Sequence, residues 1–202
     1  MMTSAPILVL RAMRLAEYAH RKLHPKGQPQ LRKAPDGADR PPYFIHLVEV
    51  GWMLQEARCA PATVAAGFLH DTIEDLGWSE RELAERIGSS QVARLVAWVS
   101  EVEKDETDPG NWEYRNAVYL ERIRRAPVPA KAISCADKTS NMMDMTRMMQ
   151  AGYPTEKFTR RPFAVQHEKF VKLGAVFKAA VPEGLMRRFR TALQDFEAAG
   201  RT

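Results

Sequence analysis

The chain has 202 residues, 45% of them hydrophobic, and a formal net charge of +5; it can build a substantial core and is far from disordered composition. No apolar run approaches the ~20 residues that cross a bilayer, and the opening PILVL is too short, and lacks the preceding basic residues, for a secretory signal. Basic residues alternate with acidic ones along helix faces, the densest runs being RIRR at 122–125 and MRRFR at 186–190, so nucleic acid is not the expected partner.

Taken in chain order, the dominant period is helical. Residues 6–24 place Leu8, Ala12, Leu15, Ala16 and Ala19 on one stripe. The Pro-, Gly- and charge-rich stretch HPKGQPQLRKAPDGADRPP, 24–42, reads as a long irregular loop of the kind that carries function. Pro41 and Pro42 open a helix over 43–57, and Pro61 opens another over 61–75, which Gly77 ends. Ser79 followed by Glu82 is a capping box starting a helix to about 87, and Gly88 separates it from a helix over 90–102. After the polar segment EKDETDPGN, helical patterns resume over 111–125, 129–150, 155–180 and 183–198. Within them, the methionines of MMDMTRMM, 142–149, read as core filler. Cys59 and Cys135 sit apart in apolar helical patterns, which predicts free thiols in a reducing cytoplasm. No segment shows strand alternation and none repeats. The expectation is one all-α domain over 1–202 with eight or nine helices.

Chemistry concentrates in GFLHDTIED, 67–75, where an apolar segment runs into His70, Asp71, Glu74 and Asp75. On a continuous helix His70 stacks over Glu74 and Asp71 over Asp75. Burying such groups unpaired is strongly unfavourable, and a divalent cation resolves the conflict. Two more polar residues lie inside apolar helical stretches: His46 in YFIHLVEV and Asp137 in AISCADKTSN. Two imidazoles and two carboxylates without a thiolate suit a six-coordinate cation such as Mn²⁺, with Fe²⁺, Co²⁺ and Zn²⁺ also open. Such a centre makes water a nucleophile for phosphorus, and Glu74 and Asp75 are placed to orient or deprotonate it.

The arrangement H…HD…D resembles the HD-domain metal-dependent phosphohydrolases. More narrowly, it is similar to the hydrolase domain of RelA/SpoT homologues, especially the small stand-alone hydrolases related to the metazoan SpoT homologue. The matching segments are AEYAH (16–20), LRKAPDGADRPPYFIH (31–46), AAGFLHDTIED (65–75), WEYRNAVYLERI (112–123) and AISCADKTSNM (132–142). The resemblance covers roughly 10–180 and implies an all-helical HD bundle around one Mn²⁺. It implies hydrolysis of the 3′-pyrophosphate of ppGpp and pppGpp, giving GDP or GTP and pyrophosphate, with no synthetase activity. Carried over by position, His46, His70, Asp71 and Asp137 are metal ligands, and Glu74 and Asp75 position the water and transfer protons. Arg32, Lys33, Lys138 and Asn141 lie beside the nucleotide, while EKFTRRPF offers Lys157, Arg160 and Arg161 for phosphate.

The chain departs from the family at Leu47, where proline is usual, at the insertion Ala38–Arg40, at Asn116, and at Thr139 and Ser140. The loop and the Thr139–Ser140 pair bear on selectivity for the base. The expected partner is a small-molecule nucleotide, with no membrane, and with a homo-oligomer left open. Competing readings keep the site but change the substrate, to the 2′-phosphate of NADPH or to a deoxynucleotide, or make the protein a non-catalytic nucleotide binder.

Overall fold

Small residues decide where the helices meet. In a computed structural model that describes residues 5–25, 27–101, 111–159 and 161–201, helix α1 (Ala5–Lys22) buries Ala12, Ala16 and Ala19 completely. That flat alanine stripe lets it pack closely against α3 (Pro61–Leu69), whose residues from Thr63 to Leu69 are all buried. Helix α2 (Phe44–Glu56) crosses α3 where glycines remove the side chains. A Cβ on Gly67 would meet Leu54 Cδ1 at 2.4 Å, and one on Gly51 would meet the Phe68 ring at 2.5 Å. The short α4 (Thr72–Leu76) and α5 (Glu80–Ile87) end on Gly77 and Gly88, both in the left-handed conformation that glycine adopts without penalty. The Ser79–Glu82 capping box is formed as expected, and Ser89 caps α6 (Ser90–Val99).

Helix α7 (Asn111–Arg125) leads to α8 (Val128–Gln150), the long helix of the fold, with Pro127 and Pro129 pre-setting its first turn. Every residue from Ala132 to Ser140 is buried, because α2, α3, α6, α10 and α11 all pack on α8. Helix α9 (Glu156–Thr159) and α10 (Phe163–Phe177) follow. In α11 (Glu183–Ala199), Leu185, Phe189, Ala192 and Phe196 line a stripe with helical spacing that covers α8. Within MMDMTRMM, Met142 is fully buried and Met145 and Met149 pack against the core, whereas Met143 is exposed.

The all-α expectation holds: the described residues form eleven helical segments, with a single isolated β-bridge, Leu31 to Pro42. The count exceeds eight or nine because two expected helices are divided. Pro162 ends the run predicted over 155–180 and caps α10. The run predicted over 61–75 is interrupted by a turn at His70 and Asp71, both still in the right-handed helical region, Asp71 at its edge with φ −94° and ψ 0°. The polar segment 103–111 lies almost wholly outside the described residues. No helix is long and apolar enough among the described residues to cross a membrane.

The loop predicted over 24–42 folds back on itself. Gln30 N–H donates to His20 O at 3.0 Å, and Tyr43 N–H donates to Gln30 O at 2.9 Å. Arg32 N–H donates to Pro41 O at 2.9 Å. Those bonds lay Arg32 and Tyr43 over the junction of α2, α3 and α8.

Candidate metal centre

Three helices deliver the cluster. His46 comes from the first turn of α2, His70 and Asp71 from the break between α3 and α4, and Asp137 from the buried middle of α8. Consecutive residues of a helix point ~100° apart, yet His70 Nε2 and Asp71 Oδ2 come within 3.0 Å at the turn between α3 and α4. His70 and Asp71 thus meet each other. One turn on, Asp75 N–H still donates to Asp71 O at 2.8 Å, and Asp71 is near enough to Asp75 and Glu74 to raise both carboxyls.

The donor atoms crowd together. His46 Nε2 lies 3.3 Å from His70 Nε2 and 3.3 Å from Asp137 Oδ1, and His70 Nε2 lies 3.6 Å from Asp137 Oδ1. Asp71 Oδ2 is 3.0 Å from His70 Nε2 and 3.7 Å from His46 Nε2. Ligand atoms of His46, His70 and Asp137 all lie within 4.8 Å of one another. For comparison, ligands about 2.0–2.2 Å from a shared cation and at right or tetrahedral angles sit roughly 3.0–3.5 Å apart.

The proton inventory fits a cation as well. His70 Nδ1 is 2.8 Å from the Gly67 carbonyl oxygen, which can only accept, so Nδ1 carries a proton and Nε2 is the nitrogen left to face the cluster and to give its lone pair to a cation. Lone pairs and carboxylates packed at these distances repel unless positive charge sits among them. Two imidazole and two carboxylate donors fit a hard-to-borderline divalent ion.

The local electrostatics agree. Burial pushes Asp137 up, but Lys138, with Nζ 2.8 Å from Oδ2, and the two imidazoles hold it well below the usual carboxylate range. Asp71 is likewise held low against burial, chiefly by His70. Burial and the nearby Arg32 depress His46 to about 4, whereas Asp71 and Asp137 overcome burial to raise His70.

Around the cluster lies a ring of supports. Tyr43 Oη donates to Asp71 Oδ2 at 2.5 Å, and its phenol is held protonated by burial and by Asp71. Asn141, one turn after Asp137 on α8, donates to Asp137 Oδ1 at 2.5 Å and accepts from Arg32 at 3.0 Å. Arg32 also pairs with Asp144. Lys138 is buried against Asp137 and over the Tyr119 ring at 4.9 Å. His46 Nδ1 lies 2.8 Å from Ser140 Oγ.

Glu74 and Asp75 stand on α4 beside the cluster. Asp75 Oδ2 accepts from Gln30 Nε2 at 2.7 Å, and Gln30 Oε1 in turn accepts from His20 Nδ1 at 2.6 Å. Burial and the adjacent Asp71 raise Asp75. Glu74 is exposed as a residue. Partial desolvation of its carboxyl, with Glu101 and Asp71 nearby, pushes it up to about 8. It accepts from the Glu101 backbone N–H at 2.6 Å.

The remaining expected residues spread outward. Lys33 and Lys157 are exposed, and Arg160 lies outside the described residues. The Arg161 guanidinium sits 5.1 Å from the centroid of Trp112, whose ring is also 5.9 Å from Lys169 Nζ. Lys169 and Lys138 lie 3.6 and 3.7 Å from Glu101 Oε1, and Arg115 lies 2.7 Å from Oε2. Between α7 and α10 runs a cavity of about 350 Å³ lined by Trp112, Tyr119, Leu120, Val165, Lys169 and Lys172 among others. A smaller hollow of about 160 Å³, at Ser90, Arg94, Trp98 and Pro127, contains none of the clustered residues.

Sequence reasoning did not single out Gln30, Glu49, Glu101, Trp112 or Lys169. Glu49 carried a readable signal, a carboxylate inside the apolar helix YFIHLVEV three residues after His46. The others are joined only by tertiary packing.

Fold and cluster together define an HD-domain protein. The sequence profile of the HD domain matches residues 12–158, and the chain belongs to that family. Within it, the chain belongs with the RelA/SpoT-homologue hydrolases of the metazoan SpoT type. It is 33% identical over 154 residues to the mouse guanosine-3′,5′-bis(diphosphate) 3′-pyrophosphohydrolase MESH1, covering 75% of this chain and 77% of that one. The human MESH1 is 34% identical over 140 residues, covering 68% of this chain and 71% of that one. A Myxococcus xanthus GTP pyrophosphokinase is 33% identical over 127 residues, but the match spans 61% of this chain and only 16% of that protein's length. A solved structure described as a metazoan ortholog of SpoT that hydrolyzes ppGpp superimposes with a TM-score of 0.64 at 20% identity, covering 96% of this chain and 97% of that one. At that identity it speaks for the fold.

Proposed function

We propose that the protein is a metal-dependent (p)ppGpp 3′-pyrophosphohydrolase, releasing GDP or GTP and pyrophosphate. The observation that carries this reading is the convergence of His46, His70 and Asp137 at 3.3–3.6 Å, with Asp71 3.0 Å from His70 and 3.7 Å from His46, within a chain that is one-third identical to MESH1. These four side chains would hold the cation, with Mn²⁺ the ion its donor set suits. Such an ion supplies Lewis acidity at a phosphoryl oxygen and a more acidic water.

The protein's own residues do the rest. Asp75, fixed by Gln30, orients the attacking water as an acceptor. Glu74, pushed up to about 8, holds a proton near neutral pH and can return it to the departing 3′ oxygen. Water adds to the phosphorus next to the 3′ oxygen, the P–O bond to that oxygen breaks, and the nucleoside 3′-hydroxyl takes a proton. Arg32, Lys33 and Asn141 form the nucleotide side, while Lys169, which lines the α7–α10 cavity, and Arg161, on the same Trp112 ring, face the pyrophosphoryl group as it passes to water. Lys138 acts one step back, as the countercharge of Asp137. Lys157 lies on the exposed face of α9 and has no part in this scheme.

The substitutions at Thr139 and Ser140 do not themselves read the base. Thr139 Oγ1 donates to Cys135 O at 2.7 Å, and Ser140 Oγ is bonded between His46 and Glu49. The test is hydrolysis by metal-stripped protein with Mn²⁺ restored, wild type beside Asp71→Ala, against ppGpp, NADPH and deoxynucleotides. GDP and pyrophosphate from wild type alone are expected. Turnover of another nucleotide in place of ppGpp would reassign the substrate, and no turnover at all would leave a nucleotide binder.

A further inference from the structure

Two imidazoles enter the cluster, and their distal nitrogens are held in two different ways. His70 Nδ1 donates to a backbone carbonyl, that of Gly67. His46 Nδ1 meets the hydroxyl of Ser140 at 2.8 Å, and Ser140 Oγ lies 2.6 Å from Glu49 Oε2. A carboxylate only accepts, so the single hydroxyl proton of Ser140 goes to Glu49, and the Ser140 oxygen is left to accept from His46 Nδ1–H. His46 is thereby fixed with its proton on Nδ1 and its lone pair on Nε2, the atom that lies 3.3 Å from both His70 Nε2 and Asp137 Oδ1.

The sequence builds this relay economically. Glu49 lies three residues after His46 on α2, and Ser140 three residues after Asp137 on α8. Each helix therefore presents a cluster residue and, one turn along the same face, one member of the relay that holds His46. His46 and Ser140 are buried, so the Nδ1–Oγ bond has no water to replace it. The Arg147 guanidinium, 3.9 Å from Glu49 Oε1, supplies a countercharge.

We propose that Ser140 and Glu49 are positioning residues that set the tautomer and orientation of His46, a carboxylate–hydroxyl–imidazole relay supporting a divalent cation. The inference rests on the reading of His46 as a ligand of that cation. Supports of this kind change metal affinity by about 10- to 100-fold, and the proposal assigns that share to two residues outside the donor set.

The experiment uses the full chain, stripped of metal and titrated with Mn²⁺, with free Mn²⁺ read by electron paramagnetic resonance. Glu49→Gln is nearly isosteric and half-exposed, so it leaves the fold intact, but its amide donates to Ser140 and frees the hydroxyl proton to turn toward His46 Nδ1. Ser140→Ala removes the bridge, and Ser140→Thr restores the hydroxyl. Both Glu49→Gln and Ser140→Ala are expected to weaken Mn²⁺ binding by about 10- to 100-fold, with Ser140→Thr close to wild type. In the metal-free protein, nitrogen-15 shifts of the His46 ring should show the proton on Nδ1 in wild type and a population on Nε2 in Glu49→Gln. Asp137→Ala, which removes a ligand, separates the two levels. If Asp137→Ala loses Mn²⁺ while Glu49→Gln and Ser140→Ala bind it as wild type does, the relay is overturned and the metal reading stands. If Asp137→Ala binds as tightly as wild type, the metal reading fails and the relay with it.

Discussion

The two sides of the site are built differently. On the α2–α3–α8 side, each clustered group has a near partner: Gly67 O for His70, Ser140 for His46, Tyr43 for Asp71, and Lys138 with Asn141 for Asp137. On the α4–α7–α10 side, partners are shared next to a cavity of about 350 Å³, with Glu101 shared among Arg115, Lys138 and Lys169, and Trp112 shared between Arg161 and Lys169. The first side is preorganised, as a cation site requires. The second keeps charge and volume available for a ligand that brings its own phosphates.

That contrast predicts unequal responses to mutation. The largest effect falls on the closed side: Asp137→Ala should lower turnover by at least about a thousand-fold, the several kcal/mol that a cation contributes to phosphoryl chemistry. Metal analysis should show the ion lost as well. A Cβ at Gly67 runs into Leu54 at the α2–α3 crossing, beside the carbonyl that holds His70. Gly67→Ala should therefore cost about 1–3 kcal/mol, read as a lower Tm together with weaker Mn²⁺ binding; a lower Tm with unchanged binding would uncouple the frame from the centre. On the open side, Lys169→Met should raise KM about tenfold, some 1.4 kcal/mol, with metal content unchanged. Equal loss of metal in that variant would erase the distinction between the sides.

The smallest effect is a matter of pH. Glu74 is pushed from an ordinary value of 4.5 up to about 8. The folded protein thus holds a proton on Glu74 that the unfolded chain releases, and ionising this carboxyl disfavours the fold progressively as pH rises through that window. In metal-free protein, the Tm of Glu74→Gln relative to wild type should increase from pH 5 to pH 8.5. A difference that stays flat across that range would contradict the assignment.

The closed side was the legible one, for a physical reason. His46, Asp137 and the His70–Asp71 pair are polar groups inside apolar helical stretches, and such burial demands a partner. What the sequence could not show was the interruption at His70 and Asp71, because nothing local in LHDTIED forbids a continuous helix. The capping box at Ser79 and the stop at Gly77 were readable because they are local chemistry. Gln30 was hidden in a loop whose path depends on bonds to His20 and Tyr43. Trp112 and Lys169 are far apart in sequence and meet only once α7 and α10 pack. Of the basic residues expected near phosphate, Arg161 joins Trp112, whereas Lys157 stays exposed on the neighbouring turn, a distinction invisible in EKFTRRPF.

Hydrolysis of ppGpp in oxygen-18 water by the Mn²⁺-loaded protein tests the central claim most directly, with products separated by ion exchange and weighed by mass spectrometry. The account predicts GDP and pyrophosphate in equal amounts, with the label in pyrophosphate and the reaction abolished by chelation. Label in the nucleotide, or turnover that survives complete removal of divalent metal, would contradict it.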